Sequence, residues 1–172
     1  NGDSSGQYSS LARFLNNCKT KIGKRYMNYL ILNPISDIEE LNKSYNSIDY
    51  FLKKKYDFSS SLSNIRDIEK MMTKIKIQRA TPYDYNSLCE TLSVVESILS
   101  KLNKDNKIFN LIQIDKTETL RNCQHTISML NKFFDLKVCN MITTLNFDKY
   151  PDINHTFIKQ GNFPKLDKET KI

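Results

Sequence analysis

The side chains able to do chemistry in this chain are few, and their spacing works against them. The two histidines are His125 and His155, and only His125 has a cysteine close by, at Cys123. Residues two apart on a helix point to opposite sides, so this pair cannot share a tetrahedral zinc. His125 is expected on a surface and His155 in a loop, neither near a plausible nucleophile, so serine- or cysteine-type hydrolysis has no support. The run Ile22-Gly23-Lys24-Arg25 invites a phosphate-loop reading and fails it. Cys18 stands where the first glycine is needed, and Arg25 where a magnesium-binding serine or threonine belongs. Gly23 instead reads as a packing residue: inside a helix it costs about 1 kcal/mol against alanine, which predicts close approach of another backbone. The carboxylates Asp37, Glu39 and Glu40, and likewise Asp67 and Glu69 around Ile68, fall in first helical turns, where the helix dipole accounts for them. Tyr26, Tyr29, Tyr45, Tyr50, Tyr83 and Tyr85 mostly sit at helical spacing among apolar neighbours, as core or rim residues. No catalytic residue, cofactor ligand or metal ligand is assigned, and the chain is not expected to be an enzyme.

The elements that carry these residues must be helices. Glycine and proline occur four times each in 172 residues, too rarely for a sandwich of short strands. With 39% hydrophobic and 26% charged residues, the chain has enough apolar material for a core. Lysine and arginine number 26 against 19 acidic residues, a net charge of +7 that is compatible with a nucleic-acid partner. The basic residues are spread along every helix, so diffuse solvated lysines explain the charge equally well. Cys18, Cys89, Cys123 and Cys139 form no CxxC pair, and Cys18 and Cys89 fall in helical segments, where reduced buried thiols are the default. Without a signal peptide or a run of eighteen apolar residues, a soluble intracellular protein with no membrane partner is expected.

Residues 1–8 read as a flexible lead-in and 9–150 as a helical domain. A short helix from Ser9 to Asn17 is expected to bury Leu11, Phe14 and Leu15. A basic amphipathic helix follows from Thr20 to Leu32 and must stop at Asn33-Pro34, because proline lacks an amide hydrogen and biases Asn33 away from helical angles. Ser36 is the expected N-cap of the next helix, with Glu39 completing a capping box. That helix, Asp37 to Lys55, carries an apolar seam at Ile38, Leu41, Tyr45, Ile48 and Leu52. Serines 59–61 mark a turn before a helix over Leu62–Ile77. Thr81-Pro82 restarts the chain, with threonine as cap and proline at the first helical position. A helix from Pro82 to Leu102, about 31 Å long at 1.5 Å per residue, then carries a seam of Tyr85, Leu88, Leu92, Val95, Leu99 and Leu102. Asn103 to Asn106 is a loop. The run from Lys107 to Ile114 is either a strand or a buried helical entry. Another seam, Leu120, Cys123, Ile127, Leu130 and Phe134, makes a helix of Thr117–Phe134. From Leu136 onward the period is lost, and irregular structure with short extended pieces is expected. The fold class is all-α, an elongated bundle of helices packed side by side.

Three blocks in order carry a resemblance. The first, Leu11 to Lys54, runs from a short helix through Thr20-Lys21-Ile22-Gly23-Lys24-Arg25 and Pro34 to Asp37-Ile38. The second is Asn64 to Ile75, with Asp67-Ile68-Glu69, followed by Arg79-Ala80-Thr81-Pro82-Tyr83-Asp84. The third is Phe157-Ile158-Lys159-Gln160-Gly161 with Leu166-Asp167. Together they resemble the core, or lever, domain of the MutS family of DNA mismatch-repair ATPases. Tyr29 departs from the family, which often has tryptophan there, and Lys107–Asp115 fits poorly; a divergent branch, viral or from an AT-rich protist, is the expectation.

The resemblance implies a fragment. It implies that residues 151–172 lead toward a DNA clamp, and that the parent protein binds mismatched double-stranded DNA, hydrolyses ATP with magnesium and dimerises. It implies a non-catalytic lever that links the ATPase state to the clamp, with Gly23, Arg25, Pro34, Ser36, Asp67, Glu69, Thr81, Pro82 and Gly161 as candidates for holding its geometry. The other reading is a free-standing basic helical scaffold or nucleic-acid adaptor.

Overall fold

The computed structural model describes residues 10–103, 105–150 and 157–169. The expected lead-in at 1–8 and the stretch 151–156, with His155, lie outside the described residues. Helices run in the order α1 (Leu11–Leu15), α2 (Lys21–Leu32), α3 (Ile38–Lys54), α4 (Ser59–Ser63), α5 (Ile68–Lys76), α6 (Pro82–Lys101), α7 (Asn106–Leu111), α8 (Lys116–Phe133), α9 (Leu136–Met141) and α10 (Pro164–Glu169), with a 3-10 turn at Phe147–Lys149. The class is all-α: among the described residues, extended pairing amounts to an isolated antiparallel bridge between Phe134 and Ile158. No helix among them is long and apolar enough to cross a membrane.

The chain divides into two compact units. One holds the described residues up to Asp67 together with Ser100–Asp115. Thr20 caps α2, its hydroxyl accepting from the Gly23 amide at 2.9 Å. The helix closes with the Asn33 amide on the Tyr29 carbonyl, just before Pro34. The next cap is Asp37 and not Ser36: the Asp37 carboxylate accepts from the Glu40 amide at 2.8 Å, and α3 begins one residue later than expected. A charged acceptor beside the positive end of a helix outcompetes a hydroxyl. The helix ends at Lys55, whose φ of 53° is the left-handed conformation of a C-cap.

Burial in this unit corrects several expectations. Leu11, Phe14 and Leu15 of α1 are exposed. Four of the five α3 seam residues also face outward, with Ile38 74% and Leu52 70% exposed and Tyr45 and Ile48 more than half so, while Leu41 is half-buried. Its half-buried side carries Leu41, Ser44, Ser47, Tyr50 and Phe51. A three-four period specifies a stripe along a helix, but not what covers the stripe. Serines 59–61 form the start of α4 instead of a turn, because Asp57 accepts from the Ser59 amide at 2.8 Å and Ser63 returns its hydroxyl to the Ser59 carbonyl. The expected Leu62–Ile77 helix is therefore broken between α4 and α5. Lys107–Leu111 is helical, within α7, and Ile108, Phe109 and Leu102 are buried. Cys18 sits between α1 and α2, outside either helix.

The other unit holds Ile68–Leu99 and the described residues from Lys116 onward. Met71 of α5, Leu88 and Cys89 of α6 and Leu130 of α8 form its core, with Ile68, Ile75, Tyr85, Leu92, Ile127, Phe134 and Leu136 packed against them. Here the α6 and α8 seams face inward as expected, Leu92 being half-buried. His125 is exposed on α8. The stretch after Phe134 is more helical than its lost period implied. Asp135 caps α9 by accepting from the Lys137 amide at 3.0 Å and the Val138 amide at 3.3 Å, and Cys139 and Ile142 are fully buried. All four cysteines are free thiols, and burial pushes Cys139 up to about 11.

Candidate functional site

The charged groups that organise the chain are gathered at three carboxylates. Asp67, just ahead of α5, takes both arms of the Arg25 guanidinium from α2, at 2.6 and 2.9 Å. The planar fork of arginine matches a carboxylate in this bidentate way. Two residues singled out 42 positions apart in the chain are thus partners.

The second carboxylate is Asp84 in the first turn of α6, its side chain 8% exposed. The Lys74 ammonium from α5 donates to both of its oxygens, at 2.7 and 2.9 Å. The Thr81 amide donates to it at 2.9 Å and the Thr81 hydroxyl at 3.0 Å, while the Asp84 amide returns a bond to that hydroxyl at 3.3 Å. This is a reciprocal capping box with aspartate in the place usually held by glutamate. Pro82, buried between them, opens the helix where no amide donor is needed. Burial pushes the Asp84 carboxyl up, but the Lys74 ammonium and the Thr81 donors more than offset it and hold it below the usual carboxylate range.

Asp105 is the third, and nothing in its local sequence announced it. Tyr50 of α3 donates its hydroxyl at 2.8 Å, Tyr56 at 3.3 Å, and Lys54 stands 3.3 Å away. Lys107 lies 4.9 Å from the centre of the Tyr50 ring. Burial raises the Asp105 carboxyl, and the Tyr50 and Lys54 donors outweigh it, leaving it lowered; burial and the same carboxylate push the Tyr50 hydroxyl up.

The remaining candidates occupy corners. Gly23 is not a point of backbone approach: a Cβ there would lie 2.9 Å from the Thr20 hydroxyl and 3.3 Å from the Cys18 Cβ, so its bareness leaves room for the cap of its own helix. Pro34 lies between α2 and α3, and Ser36 one residue outside the α3 cap. Glu69 is in the first turn of α5. Gly161 has a φ of 89°, a conformation that favours glycine, and its amide donates to Asp167 at 2.9 Å.

These arrangements can hold helices in register, and their carboxylates are already occupied by cations, hydroxyls and amides. The fit to nucleotide phosphates can be tested at Gly23-Lys24. Both amides are taken, Gly23 by the Thr20 hydroxyl and Lys24 by the Thr20 carbonyl at 3.0 Å, so no amide cradle is left there and the phosphates of ATP do not fit at this point. No cluster of three or more metal-binding side chains occurs among the described residues. Sequence reasoning missed Lys74 and Asp105; the Thr81–Asp84 spacing was a usable signal for the box, whereas Asp105 meets tyrosines 55 and 49 positions away.

Comparison with known proteins gives the family. The model of MutS domain III matches residues 1–160. The DNA mismatch repair protein MutS of Borreliella burgdorferi strain B31 is 47% identical over 53 residues, 31% of this chain and 6% of that protein. The DNA mismatch repair protein MSH2 of Saccharomyces cerevisiae is 40% identical over 48 residues, 28% of this chain and 5% of that protein. The chain therefore matches only a small part of the length of these relatives. No solved structure gives a significant match. With its domain III model matched almost end to end by a helical chain cornered at Pro34 and Thr81-Pro82, the protein belongs to the MutS family.

Proposed function

We propose that this chain is a non-catalytic lever module of a DNA mismatch-repair ATPase, linking the nucleotide state of the ATPase to a DNA clamp. The observation that carries the reading is the match to MutS domain III over residues 1–160. The Lys74–Thr81–Asp84 junction supports it physically, since a corner tied by five hydrogen bonds moves as one piece. In this reading residues 9–150 form the lever, 1–8 lead into it and 151–172 lead toward the clamp. The parent binds mismatched double-stranded DNA, works as a dimer with the remaining MutS-like domains, hydrolyses ATP with magnesium outside this segment, and is intracellular. Gly23, Arg25, Pro34, Asp67, Glu69, Thr81, Pro82 and Gly161 serve to keep the geometry.

The test is a coupling measurement in the parent protein, because a lever is defined by two states that both ligands bias. Affinity for a mismatched duplex is measured in the ADP-bound and ATP-bound states, with and without Lys74→Met. The substitution is expected to shrink the ratio of the two affinities while ATP hydrolysis without DNA persists. A parent reading frame lacking GxxxxGK[ST] downstream, or no nucleotide dependence of DNA affinity, overturns the reading. The net charge of +7 is compatible with the second reading, a basic scaffold or nucleic-acid adaptor. It predicts strong DNA binding by this chain alone, where the lever predicts weak, salt-sensitive binding with no mismatch preference.

A further inference from the structure

The carboxyl end of α8 is capped in an unusual way. A helix leaves its last carbonyls without partners, and they carry the negative end of its dipole. In α8 three successive carbonyls, those of Asn131, Lys132 and Phe133, all receive donors from one short segment near residue 160. The Lys159 ammonium donates to Asn131 at 2.7 Å, the Asn162 side-chain amide to Lys132 at 3.1 Å, and the Lys159 amide to Phe133 at 2.8 Å. In return the Asp135 amide donates to the Phe157 carbonyl at 2.8 Å. Rings close the same contact: Phe133 lies 5.6 Å from Phe163, and Phe157 lies 6.3 Å from Phe134 and 6.2 Å from Phe147, centre to centre. Phe134 also stacks on Tyr85 of α6 at 4.7 Å. At the far end the Gly161 turn donates its amide to Asp167, so α10 is tied to the same segment.

We propose that residues 157–163 are a strap that locks the carboxyl end of α8 to α10, and that Lys159 is its positioning residue. The strap is the joint that passes the orientation of α8 to the chain beyond α10. This rests on the lever reading and adds to it the place where the motion leaves the helices. A cation is well suited to this position, because an ammonium on the negative end of a helix gains from the dipole as well as from its hydrogen bond. Gly161 is the second essential part. Its φ of 89° is costly for any other residue, while a Cβ there would meet nothing within 4 Å, so Gly161→Ala perturbs the turn without a clash.

The experiment uses the full-length parent protein and has two arms. Hydrogen exchange is followed at the Asp135 and Lys159 amides in the parent, in Lys159→Met, in Gly161→Ala and in Lys159→Arg. Both amides are expected to exchange at least about tenfold faster in the first two variants and to recover in Lys159→Arg, with α6 unchanged. The second arm is the ratio of mismatched-duplex affinities in the ADP-bound and ATP-bound states, expected to fall at least about threefold in Lys159→Met with DNA-free ATP hydrolysis intact. Unchanged exchange overturns Lys159 as the holder of the strap. Faster exchange with an unchanged ratio overturns the joint and leaves the lever standing. A uniform, salt-dependent loss of DNA affinity in both states makes Lys159 a phosphate contact and overturns its positioning role. A parent whose affinity ratio is one before any substitution overturns the lever itself, and the joint with it.

Discussion

Replacing Asp84 with alanine removes a carboxylate that serves two elements at once, and its cost can be worked from the contacts. Loss of the reciprocal cap with Thr81 is worth about 1 kcal/mol. Removing one partner of a buried ion pair costs about 3–5 kcal/mol when the surviving charge is stranded. Lys74 is not stranded, because its side chain is 37% exposed and can turn to water, so the pair contributes nearer the value of a charge-assisted hydrogen bond, about 1.5–3 kcal/mol. The expected total is about 3 kcal/mol, read as the loss of urea-unfolding free energy by circular dichroism. Repeating the comparison across pH identifies the mechanism. The folded carboxyl lies below its unfolded value, so its contribution is fully present above the unfolded pKa near about 4 and fades as pH falls through the folded value. The stability gap between the parent chain and Asp84→Ala is therefore constant at neutral pH and narrows in acid. A gap under about 0.5 kcal/mol at pH 7, or one that is the same at pH 3, refutes the account.

Other outcomes follow from single contacts. Leu88→Ala, in the core between α5, α6 and α8, should lower unfolding free energy by about 2–5 kcal/mol in the same assay. Gly23→Ala should be close to neutral, because about 1 kcal/mol of helix propensity is offset by the crowded Thr20 cap; in a Thr20→Ala background the same change should become stabilising, measured as a double-mutant cycle. Thiol labelling of the folded chain should modify Cys18 first, with Cys139, buried and pushed up to about 11, reacting only on unfolding. Ultraviolet titration should show a tyrosine ionising at about 8, lost in Tyr150→Phe, because the Thr143 and Thr144 hydroxyls hydrogen-bond the Tyr150 oxygen and lower it; stability from this group appears as pH rises past that value.

Local rules read the interior helices well. Thr20, Pro34 and Thr81-Pro82 placed helix ends because caps and proline act within three or four residues of themselves. The seams of α6 and α8 pointed inward because each has apolar partners in its own unit. The same rules failed where two local devices competed. Asp37 displaced Ser36 by one position, and a serine run that looks like a turn became α4 once the Asp57 carboxylate accepted from the Ser59 amide and the Ser63 hydroxyl bonded the Ser59 carbonyl. Asp135 was overlooked as a cap, and so α9 went unseen.

The seam of α3 shows why period alone could not finish the work. Ile38, Tyr45, Ile48 and Leu52 have the spacing of a buried face, yet the side turned inward is the one bearing Tyr50, whose hydroxyl reaches Asp105. A hydrogen bond to a charged group competes with apolar burial when it is made away from bulk water, and here it turns the outer stripe to solvent. Asp105 and Lys159 were illegible for the same reason. Their meaning lies in acceptors and donors contributed from 55 and 28 positions away, a separation at which no spacing rule operates. The family, by contrast, was legible because its blocks are runs of neighbours, Thr20 to Arg25 and Arg79 to Asp84, whose order along the chain survives whatever the long-range pairs do.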